Sequence, residues 1–132
     1  MTEPLGSVLL DSQGLSLLMT RNREFGARMA RAKLRRLQVV VSALTIAEAG
    51  QGPGGRPALD YALSQISRVE PVTEADGKTA IALLRRAGLT GHTIDACLAA
   101  LSLRLVHPTT VYTSDPGDWQ RLVGDHVGLV TL

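Results

Sequence analysis

A chain of 132 residues, 45% hydrophobic and 20% charged, has room for one domain with a substantial core and little room for a second. Its longest apolar region, residues 96–106, is broken by Ser102 and Arg104 and is too short and too polar to span a bilayer. The net charge of +2 conceals an uneven spread, because Arg21, Arg23, Arg28, Arg31, Lys33, Arg35 and Arg36 hold half of the positive charge and face one acid, Glu24.

Such a basic segment is either a solvated helix face or an electrostatic handle for a polyanion. Only Phe25, Tyr61, Tyr112 and Trp119 are aromatic, which argues against a sheet that stacks bases. Cys97, the only cysteine, excludes an internal disulfide. It falls in an apolar helical pattern and reads as a buried thiol in a reducing cytoplasm. Met1-Thr2-Glu3-Pro4 lacks the basic head and apolar stretch of an export signal, which fits the same location.

In chain order, Ser7-Val8-Leu9-Leu10-Asp11 reads as a strand buried on both faces, with Asp11 at its carboxyl end. A short helix carries Leu15, Leu17, Leu18 and Met19. Asn22 can cap a second helix over 23–36, with Phe25, Met29, Ala32 and Leu37 on its apolar side. Val39-Val40-Val41 is a β-branched run that reads as a second strand. Ser42 or Thr45 starts the helix that holds Glu48. Residues 50–57, rich in glycine and proline, predict a mobile loop.

A helix over 57–66 and a strand near 68–71 follow. Thr73 and Asp76 have the spacing of a capping box, and Gly88 stops the helix behind them. Gly77-Lys78-Thr79 ends like a phosphate-binding loop, but Val72 stands where that pattern needs its first glycine. His92 and Thr93 open the most apolar helix, Ile94 to about Leu105; His92 reads as a cap or surface residue. Strand 109–113, a turn over 114–118, a helix through Trp119, Leu122 and Val123, and a last strand over 127–132 complete the order. The alternation predicts an α/β fold with a four- or five-stranded, mainly parallel sheet covered by helices on both faces.

Four acids fall in places unsuited to a solvated surface. Asp11 ends a buried strand, and Glu48 follows Leu44, Ile46 and Ala47 in an apolar helix. Asp95 lies in the first turn of the most hydrophobic helix, with Ala99 and Ser102 on its own face. Asp115 follows the fourth strand. Strand-end acids of a parallel sheet share one edge, where open α/β folds place their ligands. Singly, each has a bland reading: a turn, a helix cap or an arginine partner. Together, two carboxylates about 5 Å apart repel by roughly 3 kcal/mol at an effective dielectric near 20. A converging set must therefore bind protons or cations, and an all-oxygen site suits Mg2+ or Mn2+.

Asp11 after the first strand, Thr45-Ile46-Ala47-Glu48, Thr93-Ile94-Asp95-Ala96 and Thr113-Ser114-Asp115-Pro116-Gly117-Asp118 resemble the acidic motifs of PIN-domain nucleases. The resemblance covers essentially the whole chain, read as a single domain over 1–132, and is nearest in size to the VapC-type toxins of bacterial toxin–antitoxin pairs. It implies a PIN-like three-layer sandwich and a metal-dependent endoribonuclease. Asp11, Glu48, Asp95 and Asp115 would be the catalytic set holding one or two Mg2+ or Mn2+ ions. Asp118 would be an occasional fifth ligand, and Thr113 and Ser114 supporting hydroxyls.

Arg21, Arg23, Arg28, Arg31 and Lys33 would attract the RNA backbone, which an acid-lined site alone repels. The implied partners are RNA, a small antitoxin and a second copy in a homodimer, with no membrane. Two other readings share these residues: a non-catalytic PIN-like domain that binds RNA or protein, and a metal-dependent phosphatase. Gln13, two residues after Asp11, departs from the Asp-x-Asp pattern of haloacid-type phosphatases.

Overall fold

The computed structural model describes residues 3–132. In chain order its elements are β1 (Gly6–Leu10), α1 (Ser12–Met19), α2 (Arg23–Leu34), β2 (Leu37–Ser42), α3 (Ala43–Ala49), α4 (Gly55–Ser64), β3 (Arg68–Glu70), α5 (Glu74–Ala87), α6 (Thr93–Arg104), β4 (Thr109–Thr113), α7 (Pro116–Val123), a 3-10 turn (Gly124–His126) and β5 (Gly128–Thr131). The strands form one five-stranded sheet in the order β3-β2-β1-β4-β5. Every pairing is parallel, with Val8 opposite Val39 on one side and Thr110 on the other. The sequence reading of a four- or five-stranded parallel sheet holds at the upper number.

The pleat sends alternate side chains to opposite faces and so divides the core in two. Val8, Leu10, Val39, Val41 and Tyr112 pack under α1, α2 and α4, with Leu15, Met29 and Ala62. Leu9, Val40 and Val111 pack under α5, α6 and α7, with Leu101, Trp119 and Leu122. This is why β1 and β2 read as unbroken apolar runs: each lies between two helical layers. Among the described residues no helix is long and apolar enough to cross a membrane.

Local signals place the helix ends. The Asn22 side chain accepts from the Phe25 N–H at 2.9 Å. The Ser42 hydroxyl accepts from Leu44, so α3 starts at Ala43 and Ser42 is its cap. Thr73 and Asp76 form a reciprocal capping box, and Gly88 ends α5 at a φ of 66°. Two boundaries differ from expectation. α2 stops at Leu34 instead of 36, because Arg36 adopts a left-handed φ of 64°. The glycine-rich segment yields to helix at Gly55, so Pro57 lies in the first turn of α4, where a missing N–H costs little.

Gly6 is required by a close approach. A Cβ there would stand 2.6 Å from the Pro108 carbonyl oxygen and 3.0 Å from Leu37 Cδ2. Gly6→Ala is therefore expected to destabilise the protein by about 1–3 kcal/mol, as overpacking does. Urea denaturation of the two proteins checks it, and an unchanged midpoint would refute the contact.

A polar knot joins β3, α5 and α6. Arg104, at the end of α6, donates from Nε and Nη2 to the two Asp76 oxygens at 2.8 and 2.9 Å and from Nη1 to Glu70 at 3.2 Å. Arg68 also pairs with Glu70. Burial pushes the Asp76 carboxyl up, but the hydrogen bonds from Arg104 and the Thr73 backbone outweigh it. Its pKa ends below the ordinary 3.8. A depressed carboxylate stabilises the fold above its unfolded pKa and stops doing so as pH falls through the folded value. Melting temperature should accordingly fall as pH drops below about 4, and Asp76→Asn should flatten that part of the profile. Melts between pH 2 and 7 measure both.

Candidate functional site

Because every strand is parallel, the loops after β1, β2 and β4 open on one edge of the sheet. The loop after β1 holds Asp11, α3 after β2 holds Glu48, and the turn after β4 holds Asp115 and Asp118. α6 feeds the opposite, amino end of β4, so its first turn, with Asp95, lies at this same edge. Asp11 is fixed from two sides. Its Oδ1 accepts from the Gly14 N–H at 3.0 Å as the cap of α1, and its Oδ2 accepts from the Ser114 N–H at 2.9 Å. The Ser114 hydroxyl stands 3.5 Å from the same oxygen. Thr113, buried, accepts the Asp115 N–H on its hydroxyl at 2.9 Å.

The acids from distant parts of the chain affect one another. Burial lifts the Asp95 carboxyl above its ordinary pKa, and the charges of Asp115, Asp118 and Glu48 add to this while His92 opposes it. Ala99 and Ser102, on the same face of α6, are fully buried. The Asp115 carboxyl is raised by its neighbour Asp118, first through side-chain hydrogen bonding and then through charge. It occupies the cap position of α7 without a side-chain capping bond, so capping does not account for it. Glu48, His92, Thr93, Ile94 and Asp95 line a cleft of about 400 Å3.

Among the described residues, none of these acids forms an ion pair with lysine or arginine. The contrast is with Glu70 and Asp76, whose charges are met by arginine.

Two expectations need correction. Glu48 and Asp115 are exposed, not withdrawn from solvent as the apolar neighbours of Glu48 and the strand-end position of Asp115 suggested. α3 buries Thr45 and Ala49, half-buries Leu44 and Ile46, and leaves Ala47 and Glu48 exposed. Asp11, Asp95 and Asp118 are half-buried. His92 is also more than a cap or surface residue. It stands at the cap position of α6 without a capping bond, and its Nδ1 lies 3.2 Å from Asp118 Oδ2. Ligand atoms of His92, Asp95 and Asp118 all fall within 4.8 Å of one another. The spacing of His92, three residues before Asp95 at a helix start, was the signal available in the sequence.

The basic residues divide. Phe25 packs edge-on against Tyr112, late in β4, with ring centroids 5.7 Å apart. The first turn of α2, with Arg23, therefore lies toward the carboxyl half of the sheet, and Arg21 precedes it. The Arg21 guanidinium sits 3.7 Å from the centre of the Tyr61 ring, and that of Arg28 sits 5.2 Å from the Tyr112 ring. Arg31 and Lys33 lie in the last turn of α2, which leads into the amino end of β2. Lys33 donates there to the Gln65 carbonyl at 3.0 Å. The structure thus sets these two cations toward the edge opposite the acids.

Neither a protein-family model nor a curated protein matches this sequence. Solved structures do match its fold. VapBC2 of Rickettsia felis, bound to a DNA fragment from its promoter, superposes with a TM-score of 0.75 at 13% identity, covering 96% of this chain and 98% of that one. FitAcB of Neisseria gonorrhoeae gives 0.67 at 22% identity, over 94% of this chain and 96% of that one. A toxin–antitoxin complex of Klebsiella pneumoniae gives 0.65 at 20%, with the same coverages. Near-complete coverage at these TM-scores shows that the chain shares the fold of these structures, a PIN-like α/β fold with a five-stranded parallel sheet.

Proposed function

We propose that this protein, as a single domain over residues 1–132, is a metal-dependent endoribonuclease and the toxin of a toxin–antitoxin pair. The observation that carries the reading is the position of Asp95. It sits half-buried in the field of Asp115, Asp118 and Glu48, with no lysine or arginine paired to any of them among the described residues. A pure binding domain gains nothing from such crowding, which opposes the folded state.

The donor set, carboxylate oxygens with one imidazole, fits Mg2+ or Mn2+. Asp11, Glu48, Asp95 and Asp115 would hold one or two ions, with Asp118 beside them. When bound, such an ion polarises a phosphodiester, lowers the pKa of a water and offsets charge on the leaving oxygen. The protein's own part is positioning. Gly14 and Ser114 hold both Asp11 oxygens, leaving its remaining lone pairs to face the edge. Thr113 orients the backbone at Asp115. Arg21, Arg23 and Arg28 would supply cations that hold an RNA backbone against the acids' repulsion.

Among the solved structures that share this fold is a toxin–antitoxin complex, beside VapBC2 bound to promoter DNA and FitAcB. That complex supports a small antitoxin as partner; the further parts of the proposal are that the antitoxin covers the acid-lined edge and that the protein acts in the cytoplasm as a homodimer. Incubation with structured RNA tests the activity: cleavage with Mg2+ or Mn2+ that stops on chelation is the expected result. Turnover of a small phosphate ester without cleavage of RNA would replace this reading with a phosphatase.

A further inference from the structure

We propose that His92 is a metal ligand, a nitrogen donor that tilts the site from Mg2+ toward Mn2+. The inference rests on the metal-dependent reading above and extends it to which ion the site prefers.

The geometry is specific. Two ligand atoms about 2.1 Å from one ion are roughly 3 Å apart when adjacent and about 4.2 Å apart when opposite. The His92, Asp95 and Asp118 atoms already lie within 4.8 Å of one another, so small side-chain rotations close them onto one cation. His92 Nδ1 and Asp118 Oδ2, at 3.2 Å, stand at the separation of adjacent ligands. The imidazole makes no capping bond to the start of α6. It lines the same cleft as Glu48 and Asp95. Gly91, with a φ of 76°, turns the chain immediately before it.

The chemistry gives the direction. Mg2+ takes oxygen ligands and keeps its waters, whereas imidazole favours later divalent ions, and Mn2+ accepts both nitrogen and oxygen. A site of carboxylates alone has little reason to separate the two. A site with one nitrogen does. His92 also changes the charge balance, since it adds a donor without adding to the repulsion among Asp95, Asp115 and Asp118.

Mn2+ alone, on tag-free protein, tests this. Electron spin-echo envelope modulation of the Mn2+-loaded wild type should show coupling to a directly bound 14N, and His92→Ala should abolish it. His107 follows α6 near the amino edge, and His126 lies in the 3-10 turn, so neither supplies the signal. Titration calorimetry should show Mn2+ affinity falling at least tenfold in His92→Ala, the scale of losing even a supporting partner of a metal ligand. Mg2+ affinity should fall less, so that the preference for Mn2+ collapses. Bound Mn2+ without nitrogen coupling would overturn the role of His92 and leave the nuclease reading standing. Failure of both ions to bind wild type would overturn both. The wild-type spectrum decides the matter even if the variant is poorly folded.

Discussion

Replacing Asp95 with asparagine is expected to lower metal-dependent RNA cleavage roughly 100- to 1000-fold, the loss of several kcal/mol of transition-state stabilisation. The same change is expected to make the metal-free protein harder to melt. Burial and the charges of Asp115, Asp118 and Glu48 raise the Asp95 pKa above its ordinary 3.8. An acid whose folded pKa exceeds its unfolded one opposes folding once it ionises. The penalty is absent below 3.8, grows as pH rises toward the folded value, and is constant above it.

At neutral pH asparagine removes that penalty, so the melting temperature of the metal-free protein should rise. Mn2+ should reverse the ranking, since a bound ion stabilises the wild type by mass action and the variant much less. Asp95→Asn is a cleaner probe than Asp11→Asn. In the latter, one oxygen that accepts from a backbone N–H would become an amide that cannot. A variant that cleaves RNA at the wild-type rate, or melts lower without metal, would show that the acids do not act as a group.

Arg104→Met should be the most damaging single change away from that edge. It leaves Asp76, with 4% of its side chain exposed, and Glu70, with 9%, without their shared cation. Breaking a buried pair costs about 3–5 kcal/mol. Arg104 itself is 37% exposed, and solvent screening reduces this to about 2–3 kcal/mol. That corresponds to roughly 10 °C in melting temperature. Adding Asp76→Asn and Glu70→Gln to the arginine change should recover part of the loss, because no buried charge is then stranded. An Arg104→Met protein that melts within about 2 °C of wild type would mean that water already carries those carboxylates.

The features read correctly from sequence are those decided over a few neighbouring residues. Val8-Leu9-Leu10 and Val39-Val40-Val41 announce strands covered on both faces. Asn22, Thr73 with Asp76, and Gly88 announce helix ends, because capping chemistry acts within about one turn. The acids could be picked out because they interrupt apolar patterns, and parallel strands bring their ends to one edge.

What escaped depends on partners far along the chain. Arg104 looked like an interruption of an apolar run, and its partners Asp76 and Glu70 are 28 and 34 residues away. His92 joins the site only because α6 and α7 start side by side. The exposure of Glu48 follows from how α3 is rotated on the core, which the three apolar residues before it do not determine.

The bond between Asp11 and the Ser114 N–H joins residues 103 positions apart, and the central strand must wait equally long for its second neighbour. At roughly 5–20 residues per second, a ribosome needs about 5–20 s to make the intervening stretch. During that interval a nascent chain carries the first of its acids but has no place for the last. Synthesis itself thus imposes a delay before the edge can assemble, set by the length of chain that separates β1 from β4.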